Sequence, residues 1–255
     1  MPSPLRLDVD DYAPAGRQPA HTHDALHLSV VLRGVVHEEV GAHAVCAGPL
    51  DVVAKDPGVR HANAWGTTGA RLARLSLPGG CLRDLIDTAA TAPAWRWTHD
   101  PRVARPFLRL VARQHEGTRA VAPDDADVVD LLAAFTARRS GEPHGTPPAW
   151  LRDAMTFLRE STGPALTGRD VAAHAHVHPV YLARCVRRWY GLGLGEAIRA
   201  RRLRAAVADI TTSDTLLAPI AHAHGYADEA HLSRAVRRVT GLPPGRLRRL
   251  VGTMV

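Results

Sequence analysis

Short apolar segments separated by turn residues make up the chain from residue 26 to residue 77. Valine-rich segments, LHLSVVL at 26–32 and VVHEEV at 35–40, alternate with Gly34, Gly41 and an Asp-Pro-Gly turn at 56–58. Segments of this length and composition, bounded by glycine, are typical of strands in a β-sandwich or barrel. We therefore predict a β-barrel at about residues 15–80.

After residue 81, apolar residues recur at the spacing of an amphipathic helix. Three amphipathic segments follow within residues 81–139: LRDLIDTAA, VARPFLRLVARQ and DDADVVDLLAAFTARR. Such helices need an apolar surface to pack on, which either the barrel or a second subunit can supply. The pattern predicts a first domain at residues 1–139 with accessory helices, and it leaves intramolecular packing and homodimerisation both open.

A polar stretch rich in proline and glycine, SGEPHGTPP at 140–148, is typical of a linker. We place the linker at 140–149 and a second, all-helical domain at 150–255. Within that domain, Thr167 and Asp170 have the spacing of a capping box, and Pro179 suits the first turn of the next helix. The predicted fold class is therefore α+β, with two domains.

A ten-residue pattern occurs twice in the second domain, fifty residues apart. Residues 182–191 read LARCVRRWYG and residues 232–241 read LSRAVRRVTG. In helices, both copies bury one apolar stripe and present three arginines on the opposite face: Arg184, Arg187, Arg188, Arg234, Arg237 and Arg238. Guanidinium groups bind phosphate oxygens and guanine edges. One such run is typical of a solvated helix face, whereas two in matched register favour a shared partner.

Positive charge is concentrated in the second domain. The 255-residue chain has a formal net charge of +7. Residues 150–255 contain 16 arginines and 8 acidic residues, while residues 1–149 contain 16 basic and 17 acidic residues. This asymmetry is typical of a nucleic-acid-binding module joined to a neutral one.

The second domain resembles the tandem helix-turn-helix domain of the AraC/XylS family of transcriptional regulators. The resemblance is carried mainly by GYADEAHLSRAVRRVTGLPPGRLRR at residues 225–249, where the turn, core and terminal proline positions agree in spacing. His176 stands where the first turn usually has glycine, so it must accept a positive φ or alter the turn. Leu216 and Pro219 replace the usual capping pair of the second unit.

The resemblance implies that the second helix of each unit enters the major groove. Arg184 and Arg234 are expected to contact base edges, and Arg188 and Arg238 the DNA backbone. Glu229 either accepts a hydrogen bond from a cytosine amino group or caps its own helix. The predicted DNA-binding residues are Val180, Ala183, Arg184, Arg187, Arg188, Glu229, Ala230, Ser233, Arg234, Arg237 and Arg238.

Histidines of the first domain form a second pattern. His21, His23 and His27, followed by a Pro-Gly turn and His61, resemble the two metal-binding motifs of the cupin barrel, with His27 at the usual glutamate position. The first three share parity along an extended strand, and a barrel can bring His61 beside them. Four imidazoles suit one divalent ion of zinc, nickel, copper or iron. Alternatively, these side chains line a ligand pocket or satisfy one another without metal.

These observations predict a sequence-specific DNA-binding transcriptional regulator whose cupin-like domain senses a small molecule or a metal ion. The alternatives are a metal-dependent cupin enzyme with an accessory DNA-binding module, and a nonspecific nucleoid binder. We expect no enzyme activity, because only Asp24 near the histidines could act as a general acid or base. The resemblance implies double-stranded DNA, a small-molecule effector, RNA polymerase and a second subunit as partners.

Cellular location is predicted from the N-terminus and the cysteines. The first sixteen residues contain acids where a signal peptide needs an apolar run. Three scattered cysteines, Cys46, Cys81 and Cys185, form no metal motif and no disulfide framework. Both observations favour the cytoplasm.

Overall fold

A computed structural model of the chain describes residues 5–77, 95–98, 100–117, 121–122, 125–136, 147–161 and 166–252. The helix predicted at 82–90 and most of the predicted linker lie outside these residues. The chain divides into two compact units: Met1–Thr136 with Val207–Thr215 and Ser233–Val255, and Ala137–Ala206 with Leu216–Leu232. The domain boundary at 140–149 stays a prediction.

In the described part of the first unit, one seven-stranded antiparallel sheet dominates. Its strands are β1 (Arg6–Tyr12), β2 (Arg17–His21), β3 (Leu26–Val40), β4 (His43–Ala47), β5 (Val52–Lys55), β6 (His61–Leu77) and β7 (Trp95–Thr98). The strand order is β1-β6-β3-β5-β7, with β2 paired to β6 and β4 to β3. A sheet-rich first domain is confirmed, but among the described residues the sheet is not closed into a barrel.

The long strand β3 runs through Gly34, where two separate strands were predicted. Its register with β6 shifts on both sides of this residue, which identifies an irregularity of the β-bulge kind. Gly34 has a φ of 78°, and a Cβ added there would lie 2.0 Å from the carbonyl oxygen of Gly69. A glycine at this position therefore bends one strand instead of ending it.

Two strands extend the sheet beyond its predicted limits. β1 lies before residue 15 and pairs with β6 over its whole length. β7 lies within the stretch 81–139, for which only helices were predicted, and it pairs with β5. The sequence of β7 is Trp-Arg-Trp-Thr. Tryptophan and threonine favour strands, and pairing with β5 stabilises this segment as a strand although the neighbouring sequence has a helical pattern.

Helices account for the rest of the described secondary structure. They are α1 (Pro101–His115), α2 (Ala126–Thr136), α3 (Ala149–Glu160), α4 (Gly168–His174), α5 (Pro179–Tyr190), α6 (Leu194–Thr212), α7 (Leu217–Ala223), α8 (Glu229–Thr240) and α9 (Pro244–Val251). The all-helical nature of the C-terminal region is thus confirmed. None of the helices in the described residues is long and apolar enough to cross a lipid bilayer.

The apolar stripes predicted from the repeated pattern are buried. Leu182 and Val186 of α5 are fully buried and pack with Leu151, Leu158 and Val171 of neighbouring helices. Leu232 and Val236 of α8 are equally buried. The two helices therefore keep their opposite faces available to solvent.

Candidate nucleic-acid interface and metal centre

The first helix-turn-helix consists of α4 and α5, and both helix starts are defined by local hydrogen bonds. Thr167 and Asp170 form the predicted capping box: the Asp170 N–H donates to Thr167 Oγ1, and the Thr167 N–H donates to Asp170 Oδ2. Pro179 is the first residue of α5, and the His178 ring accepts a hydrogen bond from the Val180 N–H. The residues at the start of α5 therefore define where this helix begins.

The outward face of α5 carries the predicted DNA-binding residues. Val180, Arg184, Arg187 and Arg188 are exposed, and Ala183 is half-buried. This face lies opposite the buried stripe of the same helix. The cationic surface expected from the repeated pattern is therefore present on α5.

The second helix-turn-helix consists of α7 and α8. The Asp228 carboxylate caps α8 by accepting a hydrogen bond from the His231 N–H at 2.6 Å. Glu229 lies exposed in the first turn, where its charge is also favourable for the helix dipole. Ala230 and the three arginines Arg234, Arg237 and Arg238 are exposed, and Ser233 is half-buried.

Tyr181 is a surface residue of α5 that was absent from the predicted DNA-binding set. Half of its surface is exposed, and its ring stacks on Trp150 of α3 with 5.7 Å between centroids. The signal in the sequence was an apolar residue off the buried stripe, next to Val180. An exposed aromatic ring beside arginines is a candidate for contact with DNA.

Three histidines of the first unit converge on one cavity. His21 of β2 pairs directly with His61 of β6, and their ring centroids are 4.3 Å apart. The His23 ring is 4.8 Å from that of His21 and 5.1 Å from that of His61. One ring nitrogen from each of the three lies within 4.8 Å of the other two, which is compatible with binding one ion.

Backbone carbonyls orient two of these imidazoles. His21 Nδ1 lies 2.8 Å from the Pro19 carbonyl oxygen, and His61 Nδ1 lies 3.0 Å from that of Val59. A hydrogen bond donated from Nδ1 leaves the Nε2 lone pair available to a ligand. His61 Nε2 is buried and has no hydrogen-bond partner among the described residues.

Burial favours the neutral form of His23, His27 and His61 by lowering the pKa of each. Desolvation, together with repulsion from His61 and His21, lowers the pKa of His23 to about 4. Desolvation and His23 lower the pKa of His27 to about 3. The pKa of His61 is also lowered, mainly by burial and then by Lys55. The neutral form is the one that ligates metals.

His27 lies beside the group of three and outside it. Its ring is 4.0 Å from that of His23, and its buried Nδ1 lacks a hydrogen-bond partner among the described residues. The structure therefore brings together His21, His23 and His61, with His27 as their neighbour.

A buried ion pair that the motif analysis missed lies in the same cavity. Glu38 is 1% exposed and accepts hydrogen bonds from Lys55 Nζ at 2.6 Å, Trp95 Nε1 at 2.6 Å and Trp97 Nε1 at 2.7 Å. Desolvation lowers the pKa of Lys55, and the Glu38 carboxylate opposes this shift. The available signal was Lys55 itself, the single lysine of the chain, in an apolar strand.

Comparisons with known proteins agree with the helix-turn-helix geometry. Residues 171–250 match a family of helix-turn-helix domains. The HTH-type transcriptional regulator GlxA of Rhizobium meliloti (strain 1021) is 36% identical, with the alignment covering 89% of this chain and 81% of that protein. An AraC-like transcription regulator of Streptomyces lividans is 34% identical over 38% of this chain and 32% of its own length. The match thus spans about a third of the Streptomyces protein.

Among solved structures, ToxT from Vibrio cholerae aligns with 98% of this chain and 100% of its own, at 8% identity and a TM-score of 0.39. The sequence relatives are transcriptional regulators, which decides against the alternative of a cupin enzyme. The Rhizobium regulator aligns with most of both chains, and its likeness extends well beyond the helix-turn-helix region. The chain therefore belongs to the AraC family of transcriptional regulators, which bind DNA through their helix-turn-helix domain.

Proposed function

We propose that this regulator reads its operator through α5 and α8, and that one divalent transition metal ion in the histidine cavity is its effector. The observation that supports the metal most directly is the convergence of His21, His23 and His61, with three ring nitrogens within 4.8 Å. The buried Nε2 of His61, which has no hydrogen-bond partner in the part of the chain that the structure describes, supports it further, because such an atom is costly unless a ligand occupies its lone pair.

Cavity size favours an ion over an organic effector. The space within the cavity that the centre of a water-sized sphere can occupy is about 20 Å³. One water needs about 10–15 Å³ of such space, so an ion with one water fits. Sites for organic ligands are far larger. Imidazole ligands favour zinc, nickel, copper and iron over magnesium or calcium.

Metal analysis of the full-length protein tests the proposal. After chelation and dialysis against zinc, we expect one equivalent of metal per chain, and its loss when His21 and His61 are both replaced by alanine. His37→Ala and His43→Ala are matched controls, because both histidines are exposed on the same sheet and lie outside the cavity. Stoichiometric metal in the His21→Ala/His61→Ala protein would overturn the assignment.

An effector must also change DNA affinity. Reciprocal linkage requires that the metal alter operator affinity by the same factor as the operator alters metal affinity, about 5- to 150-fold for typical allosteric proteins. Operator sequences selected from a random DNA pool allow this factor to be measured with and without zinc. Suppose that the operator affinity is equal with and without zinc, although metal analysis shows that the zinc-treated protein holds its ion. That result would overturn the role of effector.

We further infer a cupin-like curvature of the sheet. The cavity is lined from six strands, with Tyr12 on β1, His21 on β2, His27 on β3, Lys55 on β5 and His61 on β6, and with Trp97 on β7. A flat sheet does not bring side chains of so many strands around one cavity. A homodimer formed through α1 and α2, contact with RNA polymerase and a cytoplasmic location accompany this proposal as implications of the family.

A further inference from the structure

We infer that the first helix-turn-helix recognises the C5-methyl group of a thymine through Val180 and Tyr181, here called the apolar pair. The inference rests on the proposed entry of α5 into the major groove. It goes further by naming the chemical group that is read and by distinguishing the two helix-turn-helix units.

Exposure singles out these two residues. Among the described residues, the exposed large apolar side chains are Val129, Val180, Tyr181 and Leu216. Val180 is 60% exposed and Tyr181 50%, and they are neighbours at the N-terminal end of α5. An apolar pair on an otherwise cationic helix face indicates contact with an apolar group of the partner.

Helix geometry places Val180 of the apolar pair in line with Arg184, the residue proposed to contact a base edge. Val180 precedes Arg184 by four residues, so both lie in one row on the outward face. Four residues correspond to about 6 Å along the axis, and base pairs stack about 3.4 Å apart. When Arg184 reaches a guanine, Val180 therefore lies over a base one or two pairs away.

The pair is held in place before DNA binds. The Tyr181 ring stacks on Trp150 with an interplanar angle of 23°, and the His178 ring accepts from the N–H of Val180. The stack restricts the Tyr181 side chain, and the β-branched Val180 has one strongly preferred rotamer in a helix, so little side-chain freedom remains to be lost on binding. A preorganised apolar surface gains affinity from a small contact such as one methyl group.

The second helix-turn-helix offers an internal comparison. Fifty residues further on, Ala230 and His231 replace Val180 and Tyr181. The His231 ring packs edge-on against Tyr226 and accepts a hydrogen bond from the Ala227 N–H. Glu229 precedes them and is exposed. This end of α8 offers one small apolar side chain, Ala230, between the polar Glu229 and His231, so the larger apolar contact with a methyl group is expected in the half-site of α5.

The thymine methyl group is the partner that the chemistry selects. In the major groove it is the one apolar group that the four bases of DNA present. The arginines beside the apolar pair supply the complementary charge for phosphates on the same duplex. Val180 and Tyr181 are therefore specificity residues for a thymine near the guanine of Arg184.

Replacement of thymine by uracil removes only the methyl group and tests the inference. With a selected operator, each thymine is replaced singly and the affinity of full-length protein is measured. We expect about a fourfold loss at one position under α5, as for one apolar group left unburied. Val180→Ala and Tyr181→Ser should bind the thymine and uracil operators equally, while Leu216→Ala, which removes an exposed apolar side chain outside α5, keeps the difference.

Two results would overturn the inference. One is equal affinity of the wild-type protein for thymine and uracil at every position of a selected operator. The proposed recognition of the operator through α5 and α8 would still stand after this result. The other is a uracil penalty that persists in both Val180→Ala and Tyr181→Ser. Failure to select any operator would instead overturn the proposed DNA reading together with this inference. Circular dichroism of the variants checks that α5 is retained.

Discussion

His176 and Gly225 occupy the same position in the two helix-turn-helix turns, and both have left-handed backbones, with φ values of 53° and 70°. The hydrogen bonds around them match. The Val177 N–H donates to the Ala172 carbonyl at 3.0 Å, and the Tyr226 N–H donates to the Ala221 carbonyl at 2.9 Å. The expectation that His176 either accepts a positive φ or alters the turn is thus decided in favour of the positive φ.

His176→Gly is expected to stabilise the protein by about 0.5–1 kcal/mol, because glycine removes the strain of a left-handed side-chain residue. Thermal unfolding of the full chain measures this change. Ala175→Gly is a matched control next in sequence: Ala175 has a φ of −81°, so glycine there only adds flexibility and should lower stability. A lower melting temperature for His176→Gly would contradict the strain argument.

The helical domain was largely predictable because its signals are local. The Thr167–Asp170 capping box, Pro179 at the start of α5 and the buried Leu182 each depend on neighbours within one or two turns. The sheet was less predictable because strand pairing is not local. Nothing near Trp97 in the sequence indicates that it donates a hydrogen bond to Glu38.

The convergence of the histidines was predicted for a partly wrong reason. Parity assumes one extended strand through His21, His23 and His27, but β2 ends at His21 and β3 begins at Leu26. The loop between them, and the pairing of His21 with His61, bring three rings together. Register across strands cannot be obtained from parity along one segment.

Arg234→Ala and Arg238→Ala should weaken DNA binding in different ways. If Arg234 reads a base edge, its loss costs about 1 to 3 kcal/mol on the operator and relaxes one base position. If Arg238 binds phosphate, its loss weakens operator and random DNA alike and reduces the salt dependence. Binding titrations on both DNAs at several salt concentrations distinguish the two. Equal losses on operator and random DNA for both variants would contradict the division.

The Glu38–Lys55 pair should be strongly coupled. Lys55→Met leaves a buried carboxylate without its counter-ion, and Glu38→Gln leaves a buried ammonium, so each should cost about 3–5 kcal/mol. The variant with both changes should lose less than the two single losses together, since neither charge is then left alone. Denaturant unfolding of all four proteins measures the coupling. Additive losses would mean that the pair contributes no interaction of its own.

Arg71 should stabilise the end of α9. Its guanidinium donates hydrogen bonds to the carbonyl oxygen of Val251, the last residue of the helix, at 3.3 Å and to that of Gly252, which follows it, at 2.9 Å. Arg71→Ala should cost about 1–3 kcal/mol, as for hydrogen bonds from a charged donor. Arg6→Ala is the control, because its ion pair with Asp8 is exposed and should contribute little. Hydrogen exchange at the C-terminal end of α9 should quicken in Arg71→Ala alone.

His27 should tune the proposed metal site without being one of its main ligands. Its ring contacts His23 at 4.0 Å but lies outside the group of three nitrogens. His23→Ala should therefore abolish stoichiometric zinc binding, whereas His27→Ala should weaken it by about 10- to 100-fold, as neighbours of ligands do. Competition with a chelator of known zinc affinity measures both, with His37→Ala as the unchanged control. If His27→Ala lost zinc as completely as His23→Ala, His27 would be a fourth ligand and the three-histidine assignment would be wrong.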